Sequence, residues 1–286
     1  WNIDPDITDF NNLILDGSGY KYMNSNLTIT GDVTINDAIT LDMNGNSMTG
    51  TGTESFTMLG SSRVITDDIA DPLPAFPTAF GTYSLASTSR VTLNGSGDQV
   101  VYTTPTYGRL DVYSNNNATL DGNLDVDGDF YMNDNAVLVD GGFDMNFGGD
   151  VIDIRDYTPT GGTTVTLDGG DQTLRDDDAT SIDYLDFANL VLGGTGTKDL
   201  TGGQDYYRVS EEFTINNSIT VDLSRDFEFS GTNFTNNGTL NHTANTINFN
   251  GTGVQTINPG ANHSFQTTRF ENAGGTKTIT GNGLNI

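Results

Sequence analysis

The side chains able to do chemistry in this sequence are numerous but of few kinds. Asp and Glu total 38 against 11 Lys and Arg, histidine occurs twice, and cysteine is absent. The densest acidic phrase is Asp125-Val126-Asp127-Gly128-Asp129. Alternate residues of a strand share one face, so these carboxylates would project together from a strand and the turn after it. An oxygen-only donor set suits Ca²⁺. Asp125, Asp127 and Asp129 are therefore the candidate metal ligands, with calcium as the candidate ion. The phrase opens like an EF-hand loop, but the twelfth position is Ala136, where that loop needs a bidentate Glu. The competing reading is a solvated acidic face.

Other chemistry lacks its parts. A nucleophile needs a base beside it, and the only histidines are His242 and His263, placed to stack in neighbouring turns. No Gly-x-Ser-x-Gly accompanies them. Glycosidases use paired acids, and adjacent acids occur at Asp67-Asp68 and Asp176-Asp177-Asp178. With 33 Asp in the chain, such adjacency follows from composition, and neither Gly-His-Gly nor Arg-x-Lys occurs. No enzymatic activity is expected, and no cofactor besides calcium. Thr-x-Thr at Thr28-Ile29-Thr30, Thr51-Gly52-Thr53 and Thr278-Ile279-Thr280 is too sporadic for a flat threonine array. The nine Asn-x-Ser/Thr sites are near what composition alone supplies, so they do not argue for glycosylation.

The elements that would position these groups follow from composition. Gly (35), Asn (31), Thr (42) and Asp (33) make up about half of the 286 residues. Three Lys and five Glu leave few helix formers, which excludes a helical bundle. A formal charge of −27 repels nucleic acid. No apolar run has the length of a membrane span. Short alternating phrases of Val, Ile, Leu, Phe and Tyr mark half-buried strands and argue against disorder. The chain starts at Trp1 and stops inside a strand-like phrase, so it is expected to be a segment of a longer protein.

Three phrases recur in order. The first, aromatic-x-Asn-Leu-x-Leu-x-Gly-x-Gly-x-Lys, runs from Phe10 to Lys21 and from Phe187 to Lys198. It is degenerate from Tyr107 and shortened from Phe270 to Lys277, and it holds all three lysines. The second spans Gly31 to Asp42, Gly128 to Asp140 and Glu211 to Asp222; the third spans Val91 to Val101, Val165 to Leu174 and Ile247 to Ile257. Copies then cover about 10–106, 107–186, 187–269 and a partial 270–286. Gln99, Gln172 and Gln255 are expected at equivalent positions, as are Asp42, Asp140 and Asp222. The first copy is long, and its residues 53–89 read as a loop insertion. Pro72, Pro74 and Pro77 remove ladder donors there, so 71–83 should protrude.

Within a copy, Leu190, Val209, Phe229, Phe249 and Phe270 follow one another at intervals of 19, 20, 20 and 21. A unit of that size cannot bury an apolar face alone and must stack on the next. The expected fold is all-β, a parallel β-solenoid with about 20 residues per coil, forming one continuous segment over 1–286. The alternative is a tandem of antiparallel β-sandwich repeats.

Phe187, Asn189, Leu190, Gly194, Gly196, Thr197 and Lys198, continued by Phe249, Asn250, Gly251, Gln255, Thr256 and Ile257, resemble repeats of large secreted surface proteins of bacteria, the adhesin-like proteins of the Bacteroidota type. The resemblance covers most of the chain but is weak over 53–89 and 107–120. It implies an extracellular, cell-surface β-helical stalk, adhesin or filament segment. Neighbouring repeats would be its partners, with surface glycans or cations along its face. The alternative function is a carbohydrate-binding or carbohydrate-active β-helix.

Overall fold

The computed structural model describes residues 9–66, 76–95, 97–133, 136–154, 157–176, 184–201, 206–242, 245–260, 267–271 and 274–280. Every regular element in them is a β-strand, and each strand pairs with others in parallel register one turn away. The chain is a parallel β-solenoid with about 21 residues per turn. Parallel pairing throughout excludes the antiparallel sandwich. No helix among the described residues is long and apolar enough to cross a membrane. Two compact units, Trp1–Gly141 and Gly142–Ile286, divide the chain.

In the first unit each turn contributes up to three short strands. The turn Leu27–Ile29, Val33–Ile35, Ile39–Asp42 shows the rule. Val33 and Ile35 point inward and are fully buried, whereas Thr34 between them faces out. Parallel register carries this alternation upward, so Leu13, Val33 and Phe56 stack in one column and Leu15, Ile35 and Met58 in the next.

Residues 53–89 correct the sequence reading. Ser55–Met58, Arg63–Thr66 and Thr82–Leu85 are ladder strands, paired with the turns around them. Pro72 and Pro74 lie outside the described residues. The described part, 76–83, does not protrude. Phe76 and Phe80 are buried, packing on Phe56 at 5.5 and 5.3 Å between ring centroids. Pro77 contributes only its carbonyl, which accepts from the Tyr83 hydroxyl at 3.0 Å. Burial of two phenylalanines outweighs the proline signal here, because a proline needs only to sit where no ladder donor is required.

The second unit repeats the construction with more aromatic residues inside. Val209, Phe229 and Phe249 form one interior column, which Phe270 continues in register as an exposed ring, stacked on Phe249 at 5.4 Å. The residue at the head of this column is Phe187, not Leu190. Leu190 belongs to the adjacent column with Phe213, Phe234, Ile257 and Ile279. The error comes from a bulge: Ser210 and Glu211 on one strand oppose the single Ala188 on its neighbour.

The expected equivalence of copies fails in part, for an instructive reason: Asp42 and Asp222 fall in one ladder, but the other expected equivalents do not. Gln172 and Gln255 lie in one unit but in different ladders, with Lys198 above the first and Lys277 above the second. Asp42 ends a strand of one ladder, while Asp140 follows Val137–Val139 of another. The phrases encode corners, each a strand, a turn and a strand, and the same corner serves at different faces of the turn.

Candidate functional site

Each predicted metal ligand has a protein contact, through the carboxylate at Asp125 and Asp129 and through the backbone at Asp127. Asp125 lies in the strand Leu124–Val126 and accepts from the Thr106 hydroxyl at 2.8 Å. Asp127 follows that strand, and its N–H donates to the Tyr107 carbonyl at 2.8 Å. Asp129 pairs with Arg109 at 3.3 Å. Among the described residues no three His, Asp or Glu side chains converge on one point. His242 is buried, and burial pushes its imidazole below the ordinary value against an opposing backbone bond from Asn245. His263, Asp67, Asp68, Asp177 and Asp178 lie outside the described residues, and Asp176 is buried.

What the acids do instead is cap the next turn. Asp32 accepts the N–H and hydroxyl of Ser55 at 2.9 and 2.8 Å. Asp37 does the same for Ser61 at 2.7 Å each. Asp98, Asp144, Asp150, Asp171 and Asp226 each accept a backbone N–H about one turn away. The Ser55 N–H and hydroxyl hold Asp32 below the usual carboxylate range, and those of Ser61 do so for Asp37. Glu54 closes a smaller ring within one turn. It takes the hydroxyl and N–H of Thr51 and the N–H groups of Gly52 and Thr53. The Thr51 hydroxyl foremost holds its carboxyl at about 2 against the penalty of burial.

A second device builds the corner at Lys198. Gln172 opens the strand Gln172–Arg175 and donates to the carbonyls of Phe147 and Gly149 at 2.8 and 2.6 Å. Lys198 sits directly above it in register. The ammonium donates to Gln172 Oε1 at 2.6 Å and to the carbonyls of Gly169, Gly170 and Thr195 at 2.9, 2.5 and 3.2 Å. Gly194 and Gly196, at φ of +70° and +76°, flank Thr195 in the turn that leads to Lys198, while the Gly169 and Gly170 carbonyls come from the turn beneath. Lys198 is fully buried, and burial lowers its pKa although Asp168 and Asp171 oppose the shift. Gln255 and Lys277 repeat the stacking, with Gln255 on the carbonyls of Phe229 and Gly231 and Lys277 on that of Gly251.

Two hollows flank the bulge in the second unit. One, of about 470 Å³, is lined by Asn189, Val191, Glu212 and Thr214 among others. The other, of about 390 Å³, is lined by Pro159, Asp186, Arg208 and Glu228 among others, and Ser210 borders both. Arg208 makes a two-pronged pair with Asp186 at 2.5 and 2.6 Å and lies 3.7 Å from the Tyr184 ring centroid. Glu211 reaches across to the Gly162 N–H, 3.1 Å from each carboxylate oxygen, and to the Asn189 amide at 3.4 Å. Sequence reasoning missed this place. Its signal is one extra residue in a phrase that otherwise keeps its spacing.

Fold and corners define a parallel β-solenoid whose polar side chains join turn to turn. Compared with known proteins, the chain matches no protein-family model, no curated protein and no solved structure.

Proposed function

We propose that the chain is a structural repeat segment of a secreted cell-surface stalk, adhesin or filament protein, acting by length and repetition, without turnover. The observation that supports this reading most is the use made of its acids. Asp32, Asp37, Asp98, Asp144, Asp150, Asp171 and Asp226 lie against donors of an adjacent turn, so the side chains that could do chemistry are engaged in stacking. Excess negative charge also keeps such a surface soluble and opposes sideways association. Its partners would be neighbouring repeats. The test is surface labelling: antibodies raised against the 286-residue chain should decorate intact cells of the organism that encodes it. Labelling that requires permeabilised cells would overturn the reading.

A further inference from the structure

The bulge marks a place where the solenoid departs from its own rule. Parallel ladders keep register through the turns on either side, but it shifts between Phe187 and Asn189. Bulges re-aim side chains and are common beside binding sites. Here Ser210 of the bulged pair Ser210-Glu211 lines both hollows and Glu211 the first, and the two strands at the bulge, Tyr184–Leu192 and Tyr206–Ile215, are nine and ten residues long. Glu211 ties down the 160–162 turn, and Thr158 and Pro159 form a wall of the second hollow.

We propose that this groove binds a neutral oligosaccharide. Its chemistry is mixed in the way a polyol demands. Glu212 and Glu228 accept hydrogen bonds, Arg208 donates them, and Ser210 and Thr214 do either. Val191 and Pro159 offer small apolar surfaces to the C–H face of a sugar ring. Arg208 is fixed in advance by Asp186 and Tyr184, so little side-chain freedom is lost on binding. A chain of net charge −27 disfavours uronate or sulfated glycans. A metal ion is the weaker occupant, because no three carboxylates converge among the described residues. A peptide adding as a strand needs an open edge, and beside the first hollow Asn189–Leu192 and Glu212–Ile215 are paired on both sides.

The experiment is an NMR titration of the full 286-residue chain with cellohexaose, maltohexaose, xylohexaose and chitohexaose, with hexagalacturonate and CaCl₂ alone as controls. At least one neutral hexasaccharide should move the amides of Val191, Ser210 and Thr214, with millimolar or tighter affinity. Glu212→Gln and Thr214→Trp should each weaken it about tenfold or more, and Asp37→Asn, far from the groove in sequence and in the other unit, should leave it unchanged. If either groove variant loses its native melting transition, the shift map of the unaltered chain decides. The proposal is overturned if no neutral probe shifts these amides at about 10 mM. It is also overturned if both groove variants bind unchanged, or if hexagalacturonate or calcium occupies the groove more tightly than every neutral probe.

Discussion

Gln99 and Gln172 end the same tripeptide, Gly-Asp-Gln, one in each unit. Both are buried. In both corners the preceding Asp caps the strand above: Asp98 takes the Asn117 N–H at 3.1 Å and Asp171 the Thr197 N–H at 2.8 Å. The next residue above differs. Lys198 stands in register over Gln172, and Ala118 over Gln99. The turns leading there differ as well. Gly194 and Gly196 are left-handed, whereas Ser114 and Asn116, their counterparts in the degenerate phrase, are not. With Ala118 over Gln99, this corner has no ammonium. The Ser114 hydroxyl takes the Gly97 carbonyl at 3.2 Å instead, the counterpart of the Gly170 carbonyl that Lys198 holds. Among the described residues neither polar atom of the Gln99 carboxamide has a hydrogen-bond partner. The lysine and its left-handed glycines thus occur together at one corner and are both missing from the other.

The largest effect should come from the turn. A Cβ on Gly194 would stand 1.9 Å from the Asp168 carbonyl oxygen, at a φ of +70°. Left-handed strain and a backbone clash together predict a loss of roughly 3 kcal/mol or more for Gly194→Ala. Asn116→Gly at the other corner should change stability by less than about 1 kcal/mol. Urea unfolding of both variants measures this, and equal losses would break the comparison. Lys198→Met comes next. It keeps the volume but strips donors from three carbonyls and Gln172 Oε1, for an expected loss of about 2 kcal/mol. A Lys198→Met protein as stable as the original would mean the corner does not depend on the ammonium.

A smaller effect is titratable. Burial makes the folded state hold the Lys198 proton less tightly than the unfolded chain does. The unfolded state then binds more protons between the depressed value and 10.5, so stability rises with pH across that window. Below the depressed value the penalty is complete, and above 10.5 it is gone. Tyr107 works the other way, since burial raises its phenol and stability falls once the unfolded phenol ionises above 10. The readout is therefore the difference between the original chain and Lys198→Met, followed upward from neutral pH. A difference that stays flat would refute the buried, charged amine. Acid gives the converse at Glu54: its contribution is present above 4.5 and lost as pH falls toward 2. Glu54→Gln should flatten that limb.

The solenoid was legible because two periods coincide in the sequence. Val33-Thr34-Ile35 and Phe227-Glu228-Phe229 alternate with period two, and Val209, Phe229 and Phe249 recur every 20. The lysine phrase was legible too, since glycines before a lysine announce a corner. What it could not reveal was which face a corner serves. Gln172 and Gln255 share their local sequence, and a corner is satisfied by its own turn and the turn beneath, so nothing local distinguishes one face from another. Asp125, Asp127 and Asp129 drew attention as a cluster, but spacing along the chain does not say which groups their carboxylates meet, such as the Thr106 hydroxyl at Asp125 and Arg109 at Asp129. The groove was hidden because a bulge differs from a regular turn only in length.

The smallest expected effect is the most discriminating. Gln99 buries a carboxamide whose donor and acceptor are both unpartnered among the described residues, and such a group is destabilising by about 1–3 kcal/mol relative to an apolar side chain of similar shape. Replacing both polar atoms at once removes that penalty without creating a new one. Gln99→Leu should therefore be neutral or raise stability by up to about 1 kcal/mol, the leucine branch fitting less well than the straight amide. Gln172→Leu removes the same atoms from a site where they are satisfied. It leaves the carbonyls of Phe147 and Gly149 without this donor and takes one acceptor from the buried ammonium, so it should lower stability by about 2 kcal/mol. Opposite signs for one substitution, at two sites that share a tripeptide, are what the Lys198 nest predicts. If the two variants unfold at the same urea concentration, the glutamines are interchangeable fillers, and the difference between Lys198 and Ala118 carries no energetic meaning.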